Sequence, residues 1–157
     1  MFKKIVVAYN ESPEASSALV SAIHLARILG AELRVASVVQ DLPAYTAYAT
    51  AVDSSIPPTL REGRRQRYEQ LQTEVRDTAL REGIAAVTHL LQGNPVDALL
   101  DFLAREKPDL IVIGLHRHTS HISRLWSKVY EVAQDAPCSV LGVRDKKRPE
   151  LQEATSR

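Results

Sequence analysis

One segment of this chain restricts its fold more than any other. Between Asp109 and Val143 a continuous apolar run, Leu110 to Ile113, stops abruptly at Gly114. A polar loop and a helix-like stretch follow. The turn Asp135-Ala136-Pro137 then leads into a second apolar run, Ser139 to Val143. Strand, loop, helix and strand in that order make a βαβ unit, whose crossover is expected to be right-handed. Apolar runs that do not alternate with polar residues suit strands buried on both faces, as in a parallel sheet. Ligands of such sheets sit beyond the carboxyl ends of the strands. That directs attention to the residues after Gly114.

The same pattern runs through the earlier residues. Ile5 to Tyr9 reads as a buried strand. Asn10-Glu11-Ser12-Pro13 reads as a turn into a helix, with Ser12 as N-cap, Pro13 at the first helical position and Glu14 in the first turn. Ala15, Ala18, Leu19, Ala22, Ile23, Ala26 and Leu29 trace one helical face, and Gly30 ends it. Leu33 to Val39 is a second strand. Residues 41–60 carry three prolines and no clear period, so they read as a long excursion. A helix is expected from about Thr59 to Arg81, with Tyr68, Leu71, Val75 and Leu80 inward and Gly83 closing it. Ile84 to Leu91 is a third strand, and Gly93-Asn94-Pro95 a turn. A helix with Val96, Leu99, Leu100 and Leu103 on its inner face ends before Pro108. The fourth helix is expected around Ser127 to Gln134. Strands and helices thus alternate, which predicts an α/β fold of three layers: a five-stranded parallel sheet with four helices covering both faces. The polar residues 147–157 read as a tail on a domain spanning 1–146.

Composition narrows the function. The 157 residues are 45% hydrophobic and 25% charged, and the net charge is +1 from 20 Lys and Arg against 19 Asp and Glu. No global field recruits nucleic acid or membrane. A single cysteine, Cys138, excludes an internal disulfide and fits a reducing compartment. No apolar stretch approaches the roughly 20 residues that span a bilayer, and the apolar run after Met1-Phe2-Lys3-Lys4 is too short for a secretory signal. The expectation is a cytoplasmic protein.

Four stretches carry a resemblance: KKIVVAYNESPEASSAL at the start, GNPVDALLDFLARE in the middle, and DLIVIG followed by APCSVLGV at the end. In that order and spacing, from Lys3 to Val143, the chain resembles a universal stress protein. The resemblance implies a doubly wound, Rossmann-like fold, a homodimer paired through the last strand, and a non-catalytic role in stress responses. Ser139 to Val143 is then the pairing edge, since an uncovered apolar edge is a liability in a monomer.

One branch of that family binds ATP through G-x2-G-x9-G-[S/T] after the fourth strand, where small residues admit the phosphates to backbone N–H groups. On this chain the pattern falls on Gly114, Arg117, Ser127 and Lys128, and only Gly114 conforms. The family's ribose-contacting aspartate corresponds to Asn10, which accepts hydrogen bonds without charge. If ATP or AMP binds, the resemblance puts adenine and ribose on Ala8, Asn10 and Val38 and the phosphates on Gly114, Arg117, Ser127 and Lys128. Two readings of the loop stand open. Arg117 fills the vacated room, so that ATP is not held tightly; this is the preferred one. Alternatively Arg117, Arg124 and Lys128 replace the backbone cradle with side-chain cations, Ser127 caps the following helix, and the protein is a nucleotide-binding switch.

Other candidates have bland explanations. His116, His118 and His121 crowd one loop, but no cysteine or carboxylate there completes a metal set. Arg61, Arg64, Arg65 and Arg67 lie near Glu62, Glu69 and Glu74, as on a solvated helix face with local ion pairs. Tyr45 and Tyr48 suit either a lid or a partner contact. Cys138 reads as a small core residue and Trp126 as packing. No Ser-His-acid arrangement supports hydrolysis.

Overall fold

The computed structural model describes residues 1–39, 56–115 and 126–145, with backbone alone for 56–61 and 126–128. The strands are β1 (Lys4–Ala8), β2 (Glu32–Val39), β3 (Ala86–Gln92), β4 (Leu110–Leu115) and β5 (Ser139–Arg144). The helices are α1 (Pro13–Leu29), α2 (Ile56–Arg81), α3 (Pro95–Glu106) and α4 (Trp126–Asp135). All four strand pairs are parallel, in the order β3-β2-β1-β4-β5. The order reverses between β1 and β4, so the crevice at their carboxyl ends is where such a sheet takes a ligand.

Alternate residues of the central strands serve two cores. Ile5, Val7, Leu33, Val35, Leu110 and Val112 face α1 and α2. Val6, Ala36, Ile111 and Ile113 face α3 and α4, where Phe102, Leu103 and Val132 complete the packing. This two-sided burial is why the strands read as unbroken apolar runs. Local signals set the helix ends. The Ser12 hydroxyl accepts from the Ala15 N–H at 3.2 Å, and Pro13 stands at the first helical position. Gly30 ends α1 at φ 62°, a left-handed conformation that suits a residue without Cβ. The Asn94 side chain likewise caps α3, accepting from Val96 and Asp97 N–H groups at 3.0 and 3.3 Å.

Several expectations need correction. Helix α2 starts at Ile56, not Thr59; Pro57 and Pro58 fall in its first turn, where a missing N–H breaks no helical bond. Its buried residues are Leu71, Val75 and Ala79, while Leu80 is 60% exposed. At roughly 100° per residue, position 80 lies on the opposite side from position 71. Strand β3 starts at Ala86, because Ile84 is still tied to the turn that closes α2, its N–H donating to Ala79 O at 2.9 Å. Leu29, too, is 44% exposed, and Phe102 is the buried residue of α3 that the sequence reading passed over.

At the amino end of the sheet, the exposed Asp109 carboxylate accepts from the Lys3 and Lys4 N–H groups at 2.8 and 2.9 Å. The backbone bond from Lys4, then that from Lys3, holds its pKa below the ordinary 3.8. A carboxyl with a depressed pKa in the folded state adds stability above its unfolded pKa, and that share is lost as pH falls through the folded value. Asp109→Asn should therefore weaken the protein at pH 7 and flatten the acid limb of its stability curve. Urea midpoints at pH 7 and pH 3 check this; an unchanged difference between the two refutes it.

Candidate functional site

The carboxyl edge of the sheet gathers four of the expected residues. Ala8 ends β1 and pairs with Ala36; Val38 lies two residues further along β2; Gly114 is the penultimate residue of β4 and pairs with Val143. Ala8 and Val38 are half-buried and Asn10 is exposed. Ser127 and Lys128 lie in the first turn of α4, so Ser127 stands inside that helix and does not cap it. Arg117 lies outside the described residues, as do Arg124, the three loop histidines, Tyr45 and Tyr48. Among the described residues no group of three or more His, Cys, Asp or Glu could hold a metal ion. No helix among them is long and apolar enough to cross a membrane.

Gly114 has a packing role. A Cβ on it would stand 2.5 Å from the Glu14 carbonyl oxygen and 2.7 Å from the Ala15 nitrogen. Both are backbone atoms in the first turn of α1, which therefore sits directly against the end of β4. The glycine is what allows that approach.

Asn10 is committed to the turn. Its Oδ1 accepts the Ser12 N–H at 3.0 Å, an Asx turn that aims the chain into α1. The donor being a backbone N–H settles which end of the amide faces inward. What Asn10 offers outward is its NH2 group, a donor where an aspartate would present a second acceptor oxygen.

A cavity of about 400 Å³ opens beside this turn, lined by Asn10, Glu11, Gly63, Arg64, Arg67, Tyr68 and Leu71. The amino-terminal half of α2 forms its far wall. Arg67 reaches across and pairs with Glu11, whereas Arg65 turns away and pairs along the helix with Glu69 at 3.0 Å. The basic run is thus only partly the solvated face that its composition suggests. Arg64 and Arg67, three apart on one helix face, belong to the cavity. That spacing was the signal available in the sequence; what it could not reveal was which element faces them.

Cys138 is half-buried against the α3–α4 core, and burial pushes its thiol pKa up, which disfavours the thiolate. Strand β5 lies at one edge of the sheet, bonded on one side to β4, with Leu141 37% exposed.

Comparison with known proteins agrees with this architecture. A protein from Thermus aquaticus, described as a universal stress protein, is 32% identical over 92% of this chain and 100% of its own length. The crystal structure of a universal stress protein family member from Burkholderia pseudomallei superposes with a TM-score of 0.68, at 25% identity over 90% of this chain and 96% of that one. The universal stress protein from Archaeoglobus fulgidus in complex with dAMP shares the fold, with a TM-score of 0.61 and 22% identity over 90% of this chain and 98% of that one. The model of the universal stress protein family matches residues 1–144, and with the five-stranded sheet and its four helices this places the chain in that family.

Proposed function

We propose that this universal stress protein is a non-catalytic, dimeric module of the cytoplasmic stress response whose phosphate loop has degenerated, so that ATP is not held tightly. Its domain runs through residue 146, followed by the polar tail 147–157. The observation that carries the reading is the position of Gly114. It is the one conforming glycine of the four-position motif, and its contact with α1 accounts for it without any phosphate. The other three positions hold Arg117, Ser127 and Lys128, two of them long cations where the motif has small residues. The apolar, one-sided edge at β5 supports pairing between two copies.

A second reading is a signalling switch that binds ATP or AMP through the loop cations Arg117, Arg124 and Lys128 in place of the motif's glycines. It is supported by the dAMP held by the Archaeoglobus relative.

Calorimetric titration with ATP of the wild type beside Arg117→Gly separates the two. The expected result is weak or no heat from the wild type and at least ~10-fold tighter binding by the variant, as when a bulky side chain leaves a ligand's room. Tight binding of ATP by the wild type, unchanged in the variant, would overturn the first reading.

A further inference from the structure

We propose that His89, held between the Phe102 ring and the Arg34 guanidinium, is the acid-sensitive pin of a latch that fastens the carboxyl end of α3 to strands β1 and β2. The latch lies in the amino half of the sheet and involves none of the residues of the loop after β4, so it goes beyond the reading above.

It is assembled on the face that carries α3. Ala36 packs in that core. Arg34 lies two residues before Ala36 on β2, and His89 is the β3 partner of Ala36, so the three side chains point to the same side of the sheet. On the helix, Phe102 and Glu106 stand four apart and share a face. The centroids of the His89 and Phe102 rings are 4.8 Å apart. Arg34 donates from Nη1 to Glu106 Oε2 at 2.6 Å and from Nε to Glu32 Oε1 at 2.6 Å. Lys4, at the start of β1, donates from Nζ to the Glu106 carbonyl oxygen at 2.9 Å. The last residue of α3 is thus tied to two strands, and the Arg34 and Glu106 side chains are only 21% and 23% exposed.

Protonation decides one contact of this cluster. Arg34 Nη1 lies 3.4 Å from His89 Nε2. A guanidinium has donors only, so Nε2 must be the accepting nitrogen, and the imidazole proton sits on Nδ1. A second proton turns Nε2 into a donor facing a donor, and sets two cations side by side in a partly buried place. Arg34 then has to turn away, and Glu106 loses its bond from Nη1. Around the ring, Glu106 and Glu32 favour the added proton, whereas Arg34 and Arg105 oppose it. Helix α2 covers the other face of β3, where its Arg76 bonds to Thr88. Burial first, then Arg34, outweigh the two carboxylates and hold the imidazole below its ordinary pKa of 6.5. A histidine with a depressed folded pKa adds stability above 6.5, and that share is lost as pH falls through 6.5 toward the folded value. Acidification therefore opens the latch.

The test is amide hydrogen exchange of residues 103–107 in the full chain at about pH 7.5 and pH 5.5, corrected for the intrinsic effect of pH. If only the open state takes the proton, its share rises up to ~10-fold one pH unit below the unfolded pKa. Protection at the end of α3 should accordingly fall by about 3- to 10-fold in the wild type. His89→Gln keeps a neutral acceptor for Arg34 and does not titrate, so its protection should be the same at both pH values. The other histidines are present in both proteins and cancel in the comparison. Arg34→Gln is the second variant. It removes the opposing cation, so the His89 midpoint, read by NMR, should move up, and the pH dependence of protection should shrink whatever the variant's overall stability. No fall in the wild type, an equal fall in His89→Gln, or an unchanged His89 midpoint in Arg34→Gln overturns the proposal.

Discussion

Replacing Gly114 with alanine should lower the stability of this protein by about 3 kcal/mol, the upper part of the usual range for overpacking. The added methyl would meet the Glu14 carbonyl oxygen and the Ala15 nitrogen at 2.5 and 2.7 Å. Neither is the end of a flexible side chain, so relief requires α1 to move off β4. That movement strains Val112 and Ile113 on the strand and Ala15 and Ala18 on the helix, all of them buried. For a chain of this length the loss corresponds to a fall in Tm of about 6–12 °C. Thermal and urea unfolding of the purified variant measure it. A midpoint within a degree of the wild type would mean that Gly114 is not needed for packing, and its place in a phosphate loop would again be the natural explanation.

Phe102→Ala should cost still more, about 3–5 kcal/mol, as expected for truncating a fully buried aromatic side chain. Phe102 is 1% exposed and packs with Val6, Ile111 and Leu103 beneath α3. Its ring also lies against His89, with centroids 4.8 Å apart. Burial, then the Arg34 guanidinium, holds His89 below its ordinary pKa of 6.5. Removing the neighbouring ring admits water to the imidazole, so the titration midpoint of His89 should move up toward 6.5. A histidine NMR titration reads that shift, and urea unfolding reads the stability. If stability falls while the His89 midpoint stays put, the ring contributes packing without shielding the imidazole.

Gly114 and Phe102 also show where sequence reading succeeds and where it stops. Gly114 was legible as special, since it ends an apolar run, and the family pattern made it a phosphate-loop glycine. Its contact with Glu14 lies a hundred residues away along the chain and leaves no trace in local pattern. Phe102 escaped notice because Leu99, Leu100 and Leu103 already filled the expected face. The run Arg64 to Arg67 was legible as basic, but a helix alone does not say which of its arginines meets a neighbouring turn.

What the sequence determined is the succession of elements: five apolar runs, four amphipathic stretches, and the Ser12-Pro13, Gly30 and Asn94-Pro95 signals at their ends. These are local, because two-sided burial and helix capping each act within a few residues. Tertiary structure alone decided the strand order, the inward turn of Ala79 in place of Leu80, the contact at Gly114, and the cavity shared by Asn10, Glu11, Arg64 and Tyr68. Those depend on which distant segments pack together, and packing free energy belongs to the contact between two segments and to neither one by itself.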